Sequence, residues 1–155
     1  MKKLKLYFDT SIFNFALSDD VPEERDVTLK LLNEVRSSRY EVYISEVVVI
    51  EVNRASREKA KSLTELIDEI AVEELSVDGD VLELAKRYIA EGIIPERYED
   101  DALHIAVASI NNLDAIISWN FAHIVKLKTK KGVVGINAIF GYKEIEIYSP
   151  WEVID

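Results

Sequence analysis

Short apolar runs alternate with longer amphipathic segments throughout this chain, and that alternation limits its fold more than any other feature. Period-two patterns predict strands ending near Asp9 and at residues 40–45, 72–75, 114–118, 133–135 and 145–149. Between them, helical spacing of apolar residues predicts helices after Thr10 and Ser11, at 22–37, after Ser45, at 57–70, 78–91 and from the Pro95 region to about 111. Strands that alternate with helices predict an α/β fold with a central, mainly parallel sheet covered on both faces.

Composition narrows the class of protein further. A length of 155 residues predicts a single domain spanning residues 1–155. The absence of cysteine excludes a disulfide framework and a thiolate metal site, and it favours a reducing compartment. The net charge of -10 argues against passive coating of nucleic acid, because such proteins are usually basic, but it allows an enzyme that holds cations in an acidic pocket.

Neither a signal peptide nor a membrane span is predicted. The apolar run in MKKLKLYFDTS is short and is broken by Lys5 and Asp9. The longest nearly uncharged stretch, residues 102–117, contains His104 and Asp114 and falls short of a membrane span. We therefore expect a cytoplasmic protein without a membrane partner.

Acidic and amide side chains follow the predicted strands. Asp9 ends the first strand, and Glu51 lies in the helix after the second. Asp100 and Asp101 begin the helix before the strand at 114–118, and Asn120 follows that strand. In open parallel sheets the functional cleft lies outside the carboxyl ends of the strands, so these side chains are expected to converge there.

Each of these positions also has an ordinary structural interpretation. Asp9 is then a strand-end residue, Glu51 a solvated helix charge, and Asp100 and Asp101 a cap that complements the helix dipole. Their joint placement favours a common site. Clustered carboxylates repel one another unless a cation neutralises them, and hard oxygen ligands select Mg²⁺ or Mn²⁺. Such a site suits phosphodiester hydrolysis.

Four motifs carry a resemblance to a known family. The chain resembles the PIN-domain family, particularly the VapC-like ribonuclease toxins of toxin–antitoxin pairs, in YFDTSIF at 7–13, SEVVVIEV at 45–52, DALHIAVA at 101–108 and ISWNFAHI at 117–124. The resemblance covers residues 5 to about 124. It implies a Rossmann-like three-layer α/β/α sandwich, an acidic Mg²⁺ or Mn²⁺ site and endoribonuclease activity on RNA.

The resemblance also implies roles for individual residues. Asp9, Glu51 and Asp101 become metal ligands and catalytic acids, with Thr10 or Ser11 supporting Asp9. Asp101 precedes the Ala of the DAL motif, which favours it over Asp100; Asp100 is then a cap or supporting charge, and a register shift of one would exchange the two.

The fourth catalytic position departs from the usual family pattern. It often carries an aspartate, whereas this chain has Asn120. An asparagine adds no charge, although it can hold a metal-bound water or offer one carbonyl oxygen, so this position weakens a second metal site. Ser118, in the same ISWN stretch, is taken as a further supporting residue.

Other polar residues have minor predicted roles. His104 is interpreted as a packing histidine with one hydrogen bond, because its neighbours are apolar, and His123 as a packing or surface residue. Basic side chains that offer a phosphate grip, or more simply a solvated surface, are Arg54, Arg57, Lys126, Lys128, Lys130 and Lys131.

Two functions of different classes follow. The first is a metal-dependent endoribonuclease, a toxin restrained by a cognate antitoxin; a homodimer is the form that the resemblance implies. The second is a non-catalytic PIN-like module for binding or dimerisation, motivated by Asn120 and the net acidity. A DxD phosphatase fits poorly, because Asp9 is followed by Thr-Ser without a second aspartate.

Overall fold

A five-stranded parallel sheet forms the centre of the computed structural model, which describes residues 2–155. The strands are β1 Leu4–Phe8, β2 Tyr40–Ser45, β3 Val72–Leu75, β4 Ala115–Ile117 and β5 Glu146–Tyr148. Their order across the sheet is β3-β2-β1-β4-β5, and every pairing is parallel. The predicted α/β fold with a mainly parallel sheet is confirmed.

Seven helices cover the two faces of this sheet. They are α1 Thr10–Ala16, α2 Pro22–Arg36, α3 Glu46–Asn53, α4 Arg57–Glu69, α5 Gly79–Ala90, α6 Glu99–Ile110 and α7 Leu127–Phe140, and a 3₁₀ turn at Glu96–Tyr98 precedes α6. Alternate strand residues face opposite ways: Leu6 and Phe8 pack with α1 to α4, whereas Tyr7 packs with α5, α6 and α7. The result is the three-layer α/β/α sandwich.

The strand order changes direction beside β1. The chain runs outward from β1 to β2 and β3, and it then returns to place β4 on the other side of β1. Phe8 pairs with Ile117, so Asp9 and Ser118 leave the sheet side by side at its carboxyl edge. A reversal of this kind opens a crevice at the carboxyl ends of the strands, and ligands of open α/β sheets bind there.

The termini of most elements agree with the sequence-based prediction, and the first helix adds a detail. Ser45 caps α3 through its side chain, which accepts a hydrogen bond from the amide of Val47, as expected. For α1, however, the cap is Asp9 rather than Thr10 or Ser11, because the Asp9 carboxylate accepts the amide hydrogen of Ser11. The residue expected to end the strand therefore also begins the helix.

One strand prediction was wrong. Residues 133–135 lie inside α7 and not in a strand. The β-branched pair Val133–Val134 resembles a strand locally, but Val133 is fully buried against the α5–α6 layer. A Cβ atom on Gly132 would lie 2.6 Å from the Ile93 side chain, so the glycine allows α7 to lie close to the segment that follows α5. The basic run at 126–131 lies at the start of this helix.

No helix in the described part of the chain is both long enough and apolar enough to span a bilayer.

Candidate active site

Asp9 is the most deeply buried acid at the carboxyl edge of the sheet. Only 4% of the residue is exposed. Its Oδ1 accepts hydrogen bonds from the Ser11 hydroxyl at 2.5 Å and the Ser11 amide at 3.2 Å, and its Oδ2 accepts one from the Ser118 hydroxyl at 2.5 Å. Two serines, one in the first turn of α1 and one directly after β4, therefore fix the orientation of one carboxylate.

The electrostatic environment of Asp9 is unfavourable for its charge. Burial raises the pKa of this carboxyl, and the charge of His104 and the two serine hydroxyls only partly offset that effect. Within residues 2–155, no lysine or arginine forms an ion pair with Asp9. A bound cation would supply the missing counter-charge.

The same serines join the loop after β4 to the start of α1. The Trp119 amide donates to the Ser11 hydroxyl, and the Asn120 amide donates to the Ser118 hydroxyl, both at 2.9 Å. Since each serine also contacts Asp9, the position of the β4–α7 loop is tied directly to the position of this acid.

Glu51 reaches the site from α3 and is held through one oxygen. Its Oε1 contacts the Thr10 hydroxyl at 2.7 Å and Nε2 of His104 at 2.5 Å. Burial raises the pKa of Glu51, but the hydrogen bonds from His104 and Thr10 outweigh it and lower the pKa below its ordinary value. Glu51 is therefore an ionised acid with one committed oxygen.

Asp101 lies in the first turn of α6 and contacts His123. Its Oδ2 is 3.2 Å from Nδ1 of His123, whose ring rests against Tyr98 with centroids 3.9 Å apart. Burial raises the pKa of Asp101, and the charge of His104, the Asn120 side chain and the charge of His123 oppose that rise.

The Asn120 side-chain amide affects both the turn after β4 and Asp101. Its Oδ1 accepts the amide hydrogen of His123 at 2.9 Å and so stabilises the turn after β4. The Asn120 side chain also acts on Asp101, where it lowers the pKa of the carboxyl group. In this arrangement Asn120 supports Asp101 and the turn rather than presenting a free carbonyl oxygen.

Asp100 points to the rim of the site instead of its interior. Its Oδ2 contacts Nη1 of Arg54 at 2.5 Å, and the Arg54 side chain is 62% exposed. Neighbouring aspartates therefore differ: Asp101 faces Asn120 and His123, whereas Asp100 joins α6 to α3 at the surface.

His104 has more contacts than the single hydrogen bond expected of it. The residue is 1% exposed, and its Nε2 bonds to Glu51 while its Nδ1 bonds to the Tyr7 hydroxyl at 2.6 Å. The Tyr7 hydroxyl in turn lies 2.7 Å from that of Ser45. The interpretation of His104 as a packing residue was incomplete, because both of its ring nitrogens are engaged.

Comparison with known proteins decides the family. The PIN domain model matches residues 6–121, which is most of the chain. The chain belongs to the PIN-domain family. PIN domains are generally nucleases and typically use divalent metal ions. The curated proteins include no significant match to this sequence.

A solved structure shares the PIN fold of this chain. It is a chain in the crystal structure of VapBC2 from Rickettsia felis bound to a DNA fragment from their promoter. The two chains are 15% identical, with a TM-score of 0.57 over 94% of this chain and 98% of the other. At this identity the similarity concerns the fold.

The donor atoms at this PIN-domain site suit a hard divalent cation. Asp9, Asp101 and the second oxygen of Glu51 would hold Mg²⁺ or Mn²⁺, which prefer carboxylate oxygens. Asp9 in particular is a buried acid with which no lysine or arginine of residues 2–155 forms an ion pair. Across residues 2–155, no three His, Cys, Asp or Glu side chains surround a common metal position, and Glu51 is turned towards His104.

The predicted phosphate-binding side chains divide into two groups. Arg54 reaches the rim through Asp100. Lys126 precedes α7 and donates to the Ala122 carbonyl, while Lys130 and Lys131 line a groove between α7 and β5. The two remaining basic residues, Arg57 and Lys128, are exposed on the first turns of α4 and α7. The lysine run therefore forms a surface at the start of α7.

Sequence reasoning missed Tyr7 and undervalued His104 and His123. One signal was available: a histidine within the apolar part of a helix needs polar partners if it is buried. Tyr7 lies in a strand whose alternation directs it to the α6 side. Pairing these two residues required the strand order, which local patterns do not contain.

Proposed function

We propose that this PIN-domain protein is a Mg²⁺- or Mn²⁺-dependent endoribonuclease that hydrolyses RNA phosphodiester bonds. One observation carries the proposal: Asp9, Glu51 and Asp101 come from three separate parts of the chain to the reversal of strand order, and within residues 2–155 no lysine or arginine pairs with the buried Asp9. The family supports the nuclease class, since PIN domains are generally nucleases.

The protein's own groups would prepare the site for the metal. A bound divalent cation supplies an activated water and stabilises charge on the scissile phosphate. Asp9 and Asp101 would be its ligands, Ser11 and Ser118 would hold the Asp9 carboxylate in place, and Glu51 would contribute its uncommitted oxygen. Asn120, whose side chain lowers the pKa of Asp101, would be a supporting residue at the fourth position.

We further propose that the protein is the toxin of a toxin–antitoxin pair in the cytoplasm, with a cognate antitoxin and a homodimeric form. The support is the shared fold with a chain of the VapBC2 complex, together with the family match. The pairing can be tested by purifying the chain with proteins encoded beside it and asking whether cleavage activity is suppressed in the complex.

The decisive experiment measures RNA cleavage by purified protein free of antitoxin, with Mn²⁺ or Mg²⁺ and with chelator. Asp9→Asn and Asp101→Asn should each lower the cleavage rate about 100-fold, because each removes a charged metal ligand. Asp100→Asn is the matched control on the neighbouring residue and should stay within about threefold of wild type. Metal-dependent cleavage that survives both ligand substitutions, or no cleavage with any metal, would contradict the proposal.

Loss of activity in Asp9→Asn must be separated from unfolding. Since burial raises the pKa of Asp9, the charged form destabilises the folded protein, and a neutral asparagine should be at least as stable without metal. Urea unfolding of both proteins in chelator checks this expectation.

One observation favours the second candidate, a non-catalytic binding module. Asn120 commits its carbonyl oxygen to the His123 amide, so the fourth acidic position of the family offers no oxygen ligand here. If this candidate is correct, Mn²⁺ will bind wild type and Asp101→Ala with equal affinity in a calorimetric titration, and neither protein will cut RNA.

A further inference from the structure

We propose that His104 is a positioning residue that orients the Glu51 carboxylate, with Tyr7 and Ser45 fixing its ring. The inference rests on the proposed function in assigning Glu51 a role at the metal site. The contacts that support it concern residues inside the protein, so the orientation itself can be tested without metal or RNA.

The four side chains form one continuous hydrogen-bonded series. Ser45 contacts Tyr7 at 2.7 Å, Tyr7 contacts Nδ1 of His104 at 2.6 Å, and Nε2 of His104 contacts Glu51 at 2.5 Å. Ser45 begins the series because its own oxygen is fixed by the Val47 amide at 3.1 Å. The series connects β1, the end of β2, α3 and α6, which are distant in sequence.

Burial makes this series rigid. Tyr7 and Ser45 are 0% exposed and His104 is 1% exposed. Water has little access to these groups, so each hydroxyl and ring nitrogen depends on its protein partner. The ring of His104 cannot rotate without breaking the Tyr7 contact and leaving a buried polar atom unsatisfied.

The hydrogen positions are consistent from one end to the other. A carboxylate only accepts hydrogen bonds, so Nε2 of His104 carries a hydrogen and donates it to Glu51. In the neutral ring Nδ1 then accepts from the Tyr7 hydroxyl, and Tyr7 accepts from Ser45; in the protonated ring Nδ1 donates to Tyr7, and Tyr7 donates to Ser45. Tyr7 therefore fixes which nitrogen faces the acid, an orienting role that partners of histidine commonly have.

The direction of the Glu51 side chain follows from these contacts. His104 and Thr10 both contact Oε1, from the buried side and from the start of α1 respectively. Oε2 is not used by either residue. We infer that the two contacts turn Oε2 outward, towards the cleft where a metal or its bound water would be.

A role in packing alone makes a different prediction from a role in positioning. A packing histidine, when replaced by asparagine or glutamine, would change the free energy of unfolding according to the cavity left but would not change the Mn²⁺ affinity. A positioning histidine distinguishes the two substitutions, because the amide of glutamine can reach the place of Nε2 beside Glu51, whereas that of asparagine reaches only the place of Nδ1 beside Tyr7.

The first experiment is ¹⁵N NMR of the imidazole rings in metal-free protein. The chain has two histidines, so the spectrum contains two ring systems, which His123→Gln assigns. Glu51→Ala should move the Nε2 signal of His104 and leave that of His123 in place. Glu46→Ala is the matched control on α3, since Glu46 contacts the Val77 amide instead. An unchanged His104 signal in Glu51→Ala would overturn the inference.

The second experiment measures Mn²⁺ affinity by electron paramagnetic resonance, beside RNA cleavage. His104→Asn should raise the Mn²⁺ Kd about tenfold, whereas His104→Gln should stay within about threefold of wild type. Adding His104→Asn to Glu51→Ala should weaken binding no further, because His104 acts through Glu51. Equal effects of the asparagine and glutamine variants, or additive effects in the double variant, would overturn the inference.

These outcomes are separable from failure of the proposed function. Wild type that binds no Mn²⁺ and cuts no RNA would contradict the nuclease proposal, and the NMR experiment would still decide whether His104 holds Glu51. Conversely, if the protein is an active nuclease but the His104 signal does not change in Glu51→Ala, the proposed function stands and the positioning role of His104 is wrong.

Discussion

The two histidines of this protein each contact an acid at the same site, but they do so in different surroundings. The His104 side chain is 2% exposed and lies 2.5 Å from Glu51, whereas the His123 side chain is 20% exposed and lies 3.2 Å from Asp101. His104 has a second polar partner in Tyr7, while His123 rests on the ring of Tyr98. The burial of the histidine, more than residue type, distinguishes the two pairs.

The pKa shifts of His104 and Glu51 show the consequence of this burial. Burial alone lowers the pKa of His104, but the hydrogen bond with Glu51 and the charges of Glu51, Asp9 and Asp101 reverse that and raise the pKa. The pKa of Glu51 is lowered at the same time. The two pKa shifts indicate that His104 and Glu51 stabilise each other's charged forms. Buried ion pairs need such stabilisation to offset the cost of desolvation.

Removing His104 should have the largest effect on stability. His104→Ala leaves Glu51 and the Tyr7 hydroxyl without their buried partner, and loss of one member of a buried pair costs about 3–5 kcal/mol. Urea unfolding of metal-free protein measures the change. A loss no greater than that of His123→Ala, the matched variant at the site's other histidine, would show that the two pairs are energetically alike.

Tyr7→Phe should have the next largest effect. The substitution removes a buried hydroxyl with two partners, so we expect a loss of about 1–3 kcal/mol in the unfolding free energy. The phenylalanine ring still fills the place of the tyrosine ring in the core. The control is Tyr40→Phe, which removes a peripheral hydroxyl that donates to the Val153 carbonyl. A Tyr7→Phe protein as stable as the Tyr40→Phe protein would contradict a tightly coupled series.

The pH dependence of stability should separate the pairs further. The folded pKa of His104 is raised above 6.5, so its contribution is complete below pH 6.5 and is lost as pH rises through the folded pKa. The folded pKa of Glu51 is lowered below 4.5, so its contribution is present above pH 4.5 and is lost as pH falls through the folded pKa.

The stability difference between wild type and His104→Gln should therefore be greatest between about pH 4.5 and 6.5 and should shrink on either side. Urea unfolding from pH 4 to pH 9, with both proteins in the same buffers, tests this window. A difference that is constant across the range would show that the pair is not charged in the folded state.

His123→Ala should have the smallest effect on stability. A partly exposed pair with solvent access contributes about 0–1 kcal/mol, so the unfolding free energy should change by no more than that. The same variant should still lower the cleavage rate severalfold if His123 helps to orient Asp101. A stability loss comparable to that of His104→Ala would mean that the rim is as rigid as the interior.

Much of the site could be predicted from the sequence because its parts are local. Asp9 follows a strand, Ser45 caps α3, and Asp101 lies in the first turn of α6, each set by a neighbouring pattern. The same local reasoning failed at residues 133–135, where a short β-branched pair lies within a helix. There the packing of α7 on the α5–α6 layer, and not local propensity, decides the conformation.

The sequence by itself therefore determined the alternation of strands and helices, the placement of the acids at strand and helix ends, and the family resemblance. Only the tertiary structure decided which side chains meet. Tyr7 and His104 are 97 positions apart, and His104 and Glu51 are 53 apart. Such contacts depend on strand order and on which face of the sheet each helix covers, and both are properties of the whole packed chain, which no local pattern contains.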